Sequence, residues 1–255
     1  MVIHQISNSL SNYNYNAFIY TNTNWDEHFH GNYELVYVFD GKTKITINGT
    51  QDTLLQGEII LIPPYTVHSL EIDNAKTWVG VFSEDHIVSY SKKYKYIRTS
   101  KFTLSKDVEQ ILKDQLFFEG IPDRFMRIAC LYMVCNECIK NATSHKSEQN
   151  YEFISGVVNY IHNNIENNIS LIDVATSMNY EQHYFSCLFH QFFSMNFKNF
   201  VNFFRFEKAC TLLAQEKYTI TYVAESCGFG SIRNFNRVFK KLGGCTPKEY
   251  KKGLT

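Results

Sequence analysis

The chain has 255 residues, 44% apolar and 20% charged, a composition that suits one large or two ordinary folded domains and excludes a disordered or coiled-coil chain. Basic and acidic side chains are equal at 25 each, which excludes a uniform basic coat for nucleic acid. The balance is not local: residues 231–255 hold seven basic side chains and one acidic, an excess of six positive charges at one end of the chain.

The opening stretch MVIHQISNSLSNYNYN lacks the basic start and apolar core of a signal peptide. No apolar run approaches the roughly 20 residues that span a bilayer, so no membrane association is expected. Seven cysteines, an odd number lying mostly in helical apolar patterns, read as thiols of a reducing cytoplasm. Between about Ala17 and Phe82 the runs ELVYVF, KTKITI, EIILIP and TWVGVF are β-rich, and turn signals at Asp40-Gly41, Asn48-Gly49, Gln56-Gly57 and Pro63-Pro64 separate them. Short, evenly spaced strands predict a small antiparallel barrel or double-sheet jelly roll.

Inside this region His28-Phe29-His30 is followed after three residues by Glu34, then by Gly41, Gly57, Pro63 and His68. The spacing resembles the two motifs of the cupin superfamily. Side chains at these positions can converge inside a barrel, and imidazoles with a carboxylate suit a divalent first-row metal. A polar effector pocket without metal, formed by His28, His30, Glu34, Tyr37 and His68 with Tyr33 beside them, is the preferred reading, since aromatic faces and a few fixed polar groups bind small polar metabolites such as sugars. No cofactor and no catalytic residue is assigned.

From Leu104 the period becomes helical. SKDVEQILKDQLFFEG forms one predicted helix, and Pro122 opens a second that runs to Ile139. Their apolar stripes (Val108, Ile111, Leu112; Ile128, Leu131, Cys135) exceed what a small barrel is expected to cover, which predicts a homodimer through residues 104–140. Cys130, Cys135 and Cys138 lie along one helix and are expected to pack rather than bind zinc, which needs four convergent ligands. The polar run 141–150 is the expected linker.

Beyond it the chain repeats itself. NISLIDVATSMNYEQHYFSCLFHQFFSMNFKNF and YTITYVAESCGFGSIRNFNRVFKKLGGCTPKEY align Val174-Ala175 with Val223-Ala224, Phe185 with Phe235 and Phe189 with Phe239. Each copy predicts a short helix, a turn and a second helix, with a helix from about Phe197 to Gln215 between the copies. In the second copy Phe235, Val238, Phe239 and Leu242 face inward, which leaves Ile232, Arg233, Asn236, Arg237 and Lys240 outward. Arginine and asparagine suit guanine and adenine edges, and lysine suits phosphate. The matching face of the first copy, with Gln182, His183, Ser186 and Cys187, has no lysine or arginine.

The segment ITYVAESCGFGSIRNFNRVFKKLGGCTPKEY resembles the signature of the AraC/XylS family of bacterial transcriptional regulators, with its Val-Ala, Gly-Phe, Phe-x-Arg-x-Phe-Lys-Lys and Thr-Pro-x-x-Tyr elements. The resemblance covers about residues 151–252. It implies an α+β chain of two domains: a cupin-like sensing and dimerisation domain at 1–140, and after the linker a DNA-binding domain at 151–255 with two helix-turn-helix units. It implies readers at Gln182, His183, Ser186 and Cys187, and at Ile232, Arg233, Asn234, Asn236 and Arg237. The expected partners are double-stranded promoter DNA, a small-molecule effector, a second copy of the chain and RNA polymerase. The other readings are a metal-dependent cupin enzyme fused to a DNA-binding module, and a regulator that answers a protein partner.

Overall fold

The structure is a computed structural model that describes residues 3–4, 15–94, 100–141, 147–215 and 217–253. The chain divides into two compact units, Met1–Glu152 and Phe153–Thr255.

The first unit is a double sheet. One sheet has the order β1 (Ile3–His4), β3 (Thr23–Phe29), β8 (His68–Ile72), β5 (Lys42–Ile47), β6 (Thr50–Leu55). The other has the order β10 (Phe102–Thr103), β7 (Glu58–Ile62), β4 (Tyr33–Asp40), β9 (Lys76–Phe82), β2 (Tyr15–Tyr20). All pairings except β1 with β3 are antiparallel. The turn between β5 and β6 shows why the sequence folds here: Asn48 and Gly49 both take positive φ, 48° and 75°, as the two-residue hairpin that matches strand twist requires.

Side-chain alternation along β4 divides the core. Val36 and Val38 point between the sheets and pack with Ile45, Ile47, Leu54, Ile60, Ile62, Leu70 and Val79. Tyr33, Leu35 and Tyr37 point the other way. With Ile59, Leu61 and Trp78 they meet the helices α2 (Lys106–Gln115) and α3 (Arg124–Asn141), which bring Leu112, Cys130, Leu131, Val134, Cys135 and Cys138. The outer face of one sheet therefore covers Leu112 and Leu131 of the helical stripes and leaves Ile111 exposed, and the cysteines pack there as expected.

Helix limits differ from the sequence reading for local reasons. The first predicted helix ends at Gln115, because Leu116 leaves helical geometry and lets Phe117 stack on Tyr37 at 4.4 Å between ring centres. The second starts at Arg124 rather than Pro122, because the Asp123 carboxylate accepts hydrogen bonds from the backbone N–H of Phe125 (2.9 Å) and Met126 (3.3 Å) and so caps it. A short helix α1 (Val88–Tyr94) was not expected. Of the expected linker 141–150, residues 142–146 lie outside the described residues. Its described parts are helical, Asn141 closing α3 and residues 147–150 opening α4 (Ser147–Asn164), where Glu148 and Gln149 are good helix formers. Among the described residues no helix is long and apolar enough to cross a membrane.

The second unit continues from α4 with α5 (Leu171–Ser177), α6 (Gln182–Phe193), α7 (Phe197–Leu213), α8 (Ile220–Ser226), α9 (Ile232–Gly243) and α10 (Pro247–Lys252). Rings fill its interior: Phe153, Phe185, Phe189, Phe193, Phe200 and Phe204 around the first repeat, and Phe206, Phe229, Phe235 and Phe239 around the second. Helix α7 has 17 residues, about 25 Å at 1.5 Å per residue.

Candidate functional site

Each repeat is a capped helix, a turn through a left-handed residue, and a second capped helix. Ser170 and Thr219 cap α5 and α8; Glu181 and Ser231 cap α6 and α9. The turn residues are Asn179 at φ 58° and Gly228 at φ 73°, equivalent positions of the two copies. Asparagine tolerates this region and glycine suits it. At Gly228 the need is also steric, since a Cβ would lie 2.3 Å from the Ile165 carbonyl oxygen.

On α9 the structure brings Ile232, Arg233, Asn236, Arg237 and Lys240 to the exposed face, opposite buried Phe235, Val238 and Phe239. Asn234 differs. Its amide donates to the Phe229 carbonyl (3.0 Å) and its side-chain oxygen accepts from Arg237 (2.9 Å), so it fixes the turn and aims the guanidinium. On α6 Gln182, His183, Ser186 and Cys187 are exposed, and the Cys187 sulfur is 3.9 Å from His183 Nδ1. Tyr184, not singled out from the sequence, is 56% exposed on the same helix and stacks on Tyr180. Arg205 of α7 is also an unforeseen contributor. Buried, it donates to the carbonyls of Ile165 (3.2 Å) and Asn167 (2.7 Å) and ties α7 to the chain beyond α4.

In the barrel, His28 on β3, His30 just beyond it, Glu34 on β4 and His68 on β8 come together, all buried. Their donor atoms lie within 4.8 Å of one another. His28 pairs with His68 across β3 and β8. Each imidazole is oriented from behind by a carbonyl that can only accept: Nδ1 donates to Asp26 from His28 (2.8 Å), to Asn32 from His30 (3.1 Å) and to Thr66 from His68 (2.9 Å). The Glu34 carboxylate is 3.0 Å from His30 Nε2 and 3.5 Å from His68 Nε2. Burial raises the carboxyl's proton affinity, but the charge of His68 and the hydrogen bond from His30 outweigh it and hold the group well below the usual carboxylate range. Burial, with His68 next to it, pushes His28 down to about 3. Burial also opposes charge on His68, yet Glu34 beside it prevails and raises its pKa.

Tyr37 does not join this group. It lies three positions from Glu34 on a strand, hence on the opposite face, where its hydroxyl donates to the Glu109 carboxylate of α2; Tyr33 shares that face. The aromatic neighbours of the cluster are instead Phe18, Tyr20 and Trp25, which line a small cleft with Asn16, His28, Glu34, Val79 and Val81. Tyr20 and Trp25 meet edge to face at 4.4 Å.

A double-sheet barrel with a buried polar cluster, and a helical unit with two helix-turn-helix motifs, define a DNA-binding regulator of transcription with a ligand-binding domain. The comparisons agree. A helix-turn-helix domain family matches residues 174–253 and the AraC-like ligand binding domain family matches residues 16–81. The chain belongs to the AraC family of transcriptional regulators. It is 23% identical over 237 residues to the Msm operon regulatory protein of Streptococcus mutans, covering 88% of this chain and 85% of that one. It is 22% identical over 250 residues to the melibiose operon regulatory protein of Escherichia coli, covering 88% and 83%. It spans half the length of a third relative, the regulatory protein PocR of Salmonella typhimurium, at 28% identity over 161 residues, 63% of this chain. Among solved structures, ToxT of Vibrio cholerae shares the fold, with a TM-score of 0.57 at 15% identity over 94% of this chain and 99% of that one. In another crystal structure, with a TM-score of 0.59 at 14% identity over 94% of this chain and 95% of that one, ToxT is bound to an unsaturated fatty acid.

Proposed function

We propose that the chain binds promoter DNA as a homodimer in the bacterial cytoplasm, reads it with α6 and α9, and changes its binding or its contact with RNA polymerase when the barrel takes up a small polar metabolite of the sugar class. The observation that carries the DNA reading is the outward face of α9: Arg233, Asn236, Arg237 and Lys240 stand exposed on a helix that is capped, preceded by a tight turn and anchored by buried rings. Arg233, Asn236 and Arg237 would read bases, and Lys240 a phosphate. On α6, Gln182, His183, Ser186 and Cys187 would add contacts with little charge. At about 25 Å, α7 is long enough to set its two neighbours toward adjacent major-groove openings, about 34 Å apart.

The sugar class rests on two supports: aromatic Phe18, Tyr20 and Trp25 at the edge of a polar cluster, and a relative named for the melibiose operon. In this conformation the cleft is about 10 Å³, so a sugar enters by displacing the half-exposed Phe18 and Trp25, and selects the opened state. The test is to sequence the DNA retained by the purified protein, footprint the recovered site, and measure operator affinity and melting temperature across a panel of sugars. The reading expects one recurring sequence motif and at least one sugar that shifts both quantities. Retention of random DNA would overturn the first part, and no shift with any sugar the second.

A further inference from the structure

We infer that the helical unit carries a small-molecule site of its own: the cleft between α7 and the turn that leads into α9 binds a small aromatic monocarboxylate, and its occupation weakens operator binding. The cleft measures about 960 Å³, within the range of ligand pockets, about 300–1,000 Å³. One wall is a single face of α7, since Lys198, Val201, Asn202 and Arg205 follow the spacing i, i+3, i+4, i+7. The turn residues Gly228, Phe229 and Gly230 line it as well, with Ser231 and Ile232 at the start of α9.

Two buried polar side chains supply the main argument. Asn202 is 8% exposed and Arg205 9%, yet both line the cleft. A guanidinium has five N–H groups, and those of Arg205 that are used within the unit go to neutral acceptors, the carbonyls of Ile165 and Asn167. No carboxylate pairs with it, and the Asn202 carboxamide has no hydrogen-bond partner among the described residues. A buried charge without a counter-ion and a buried amide without a partner are both costly. One carboxylate answers both, because it accepts two parallel N–H bonds from a guanidinium and can take another from an amide. Phe197, Val201, Phe229 and Ile232 add apolar and aromatic surface for a ring. The edge limits the charge of the occupant: exposed Lys198 favours an anion, whereas Glu225 is exposed and acidic, and Glu166 is already paired with Lys208 at 2.8 Å. That balance suits one negative charge and disfavours the several of a phosphate ester.

The effect on DNA follows from the same lining, and this half of the inference rests on the reading of α9 given above. Asn234, which accepts from Arg237 and so aims it, also borders the cleft. An occupant packed on Phe229 and Ile232 therefore lies against the segment that orients the reader helix. Its negative charge lowers the positive potential that draws DNA phosphates to that face.

Full-length protein is titrated with benzoate, phenylacetate and cinnamate, and with the primary amide of each, followed by calorimetry and two-dimensional amide NMR. At least one acid should bind with a Kd below about 1 mM, and its amide at least about 10-fold more weakly. The side-chain amide signals of Asn202 and the backbone signals of Gly228 and Gly230 should shift, and operator affinity should fall at least about 5-fold at saturation. Asn202→Leu should weaken acid binding by at least about 10-fold. Because Asn202 is buried, the NMR shifts of the unaltered chain decide independently of whether this variant folds. No acid binding below about 1 mM, equal binding of acid and amide, or shifts confined to the barrel unit would overturn the site. Unchanged operator affinity at saturation would overturn its coupling to DNA. Calorimetry and NMR need no operator, so a failure of the DNA reading leaves the site itself decided.

Discussion

Arg237 and Phe239 lie two residues apart on α9, and truncating them should separate reading from folding. Arg237 is exposed and bonded to Asn234, so Arg237→Ala is expected to weaken operator binding by about 1–3 kcal/mol, the worth of a good bidentate base contact, at unchanged melting temperature. Unchanged affinity in a gel-shift titration would remove Arg237 from the reading face. Phe239 is fully buried against Phe206 and Phe235, so Phe239→Ala should cost about 3–5 kcal/mol of stability in a urea titration and lower DNA affinity only through unfolding. Gly228 fails by a third route. A methyl group there meets both a φ of 73° and a carbonyl oxygen at 2.3 Å, so Gly228→Ala should destabilise by about 1–3 kcal/mol or more, while Asn179→Gly, which relaxes the same strain in the other copy, should be near neutral or stabilising. Equal effects of the two substitutions in thermal melts would contradict this account of the turns.

The two reader helices share one architecture and differ in chemistry. The outward positions named on α6 carry amide, imidazole, hydroxyl and thiol groups, whereas α9 offers Arg233, Arg237 and Lys240. Replacing Gln182 or Ser186 with alanine should therefore cost less operator affinity than replacing Arg233 or Arg237, and the salt dependence of binding should track α9, because phosphate neutralisation sets that slope. A footprint dominated by the half-site under α6 would reverse the order. Much of this was legible in the sequence because helical periodicity places Phe235, Val238 and Phe239 inside and the arginines outside, and because a repeat states the fold twice. The barrel was legible where strands are apolar or bounded by Asn-Gly and Gln-Gly, and the His-Phe-His and Glu34 spacing with the later His68 already brought four donors together. Tyr37 was misplaced because aromatic character was weighed above strand parity; three positions from Glu34 on one strand means the opposite face. Phe18 and Tyr20 of β2 and Trp25 of β3 were not legible as pocket residues because no local pattern shows which strands become neighbours. The bond from Asn234 to the Phe229 carbonyl was not legible for a similar reason: it depends on how the turn closes.

At the scale of the molecule, the homodimer expected through residues 104–140 would use only part of the apolar stripes. Of the stripes read from the sequence, Leu112, Leu131 and Cys135 lie against the outer sheet beneath Tyr33, Leu35, Tyr37 and Trp78, whereas Ile111 is 40% exposed. The most exposed apolar residues of that segment lie around the start of α3: Phe125 at 82% and Ile121 at 55%, with Met126 and Phe118 beside them in the chain. An aromatic ring left in water at a helix start is the kind of anchor that buries well in a self-complementary contact, and two-fold association is the commonest form of oligomer. Phe125→Glu is therefore expected to shift dimerisation by at least about 10-fold toward monomer in sedimentation, since it replaces an apolar anchor with a charge that two-fold symmetry would bring near its own copy. The barrel should melt unchanged, because Phe125 contributes little to the core. Operator binding should fall as well, by loss of the second copy's contribution and not of any base contact, so the variant's affinity for an isolated half-site should equal that of the unaltered chain. A variant that stays dimeric would place the interface elsewhere on the chain, and one that is monomeric yet binds the full operator undiminished would show that a single copy, with its two readers, suffices.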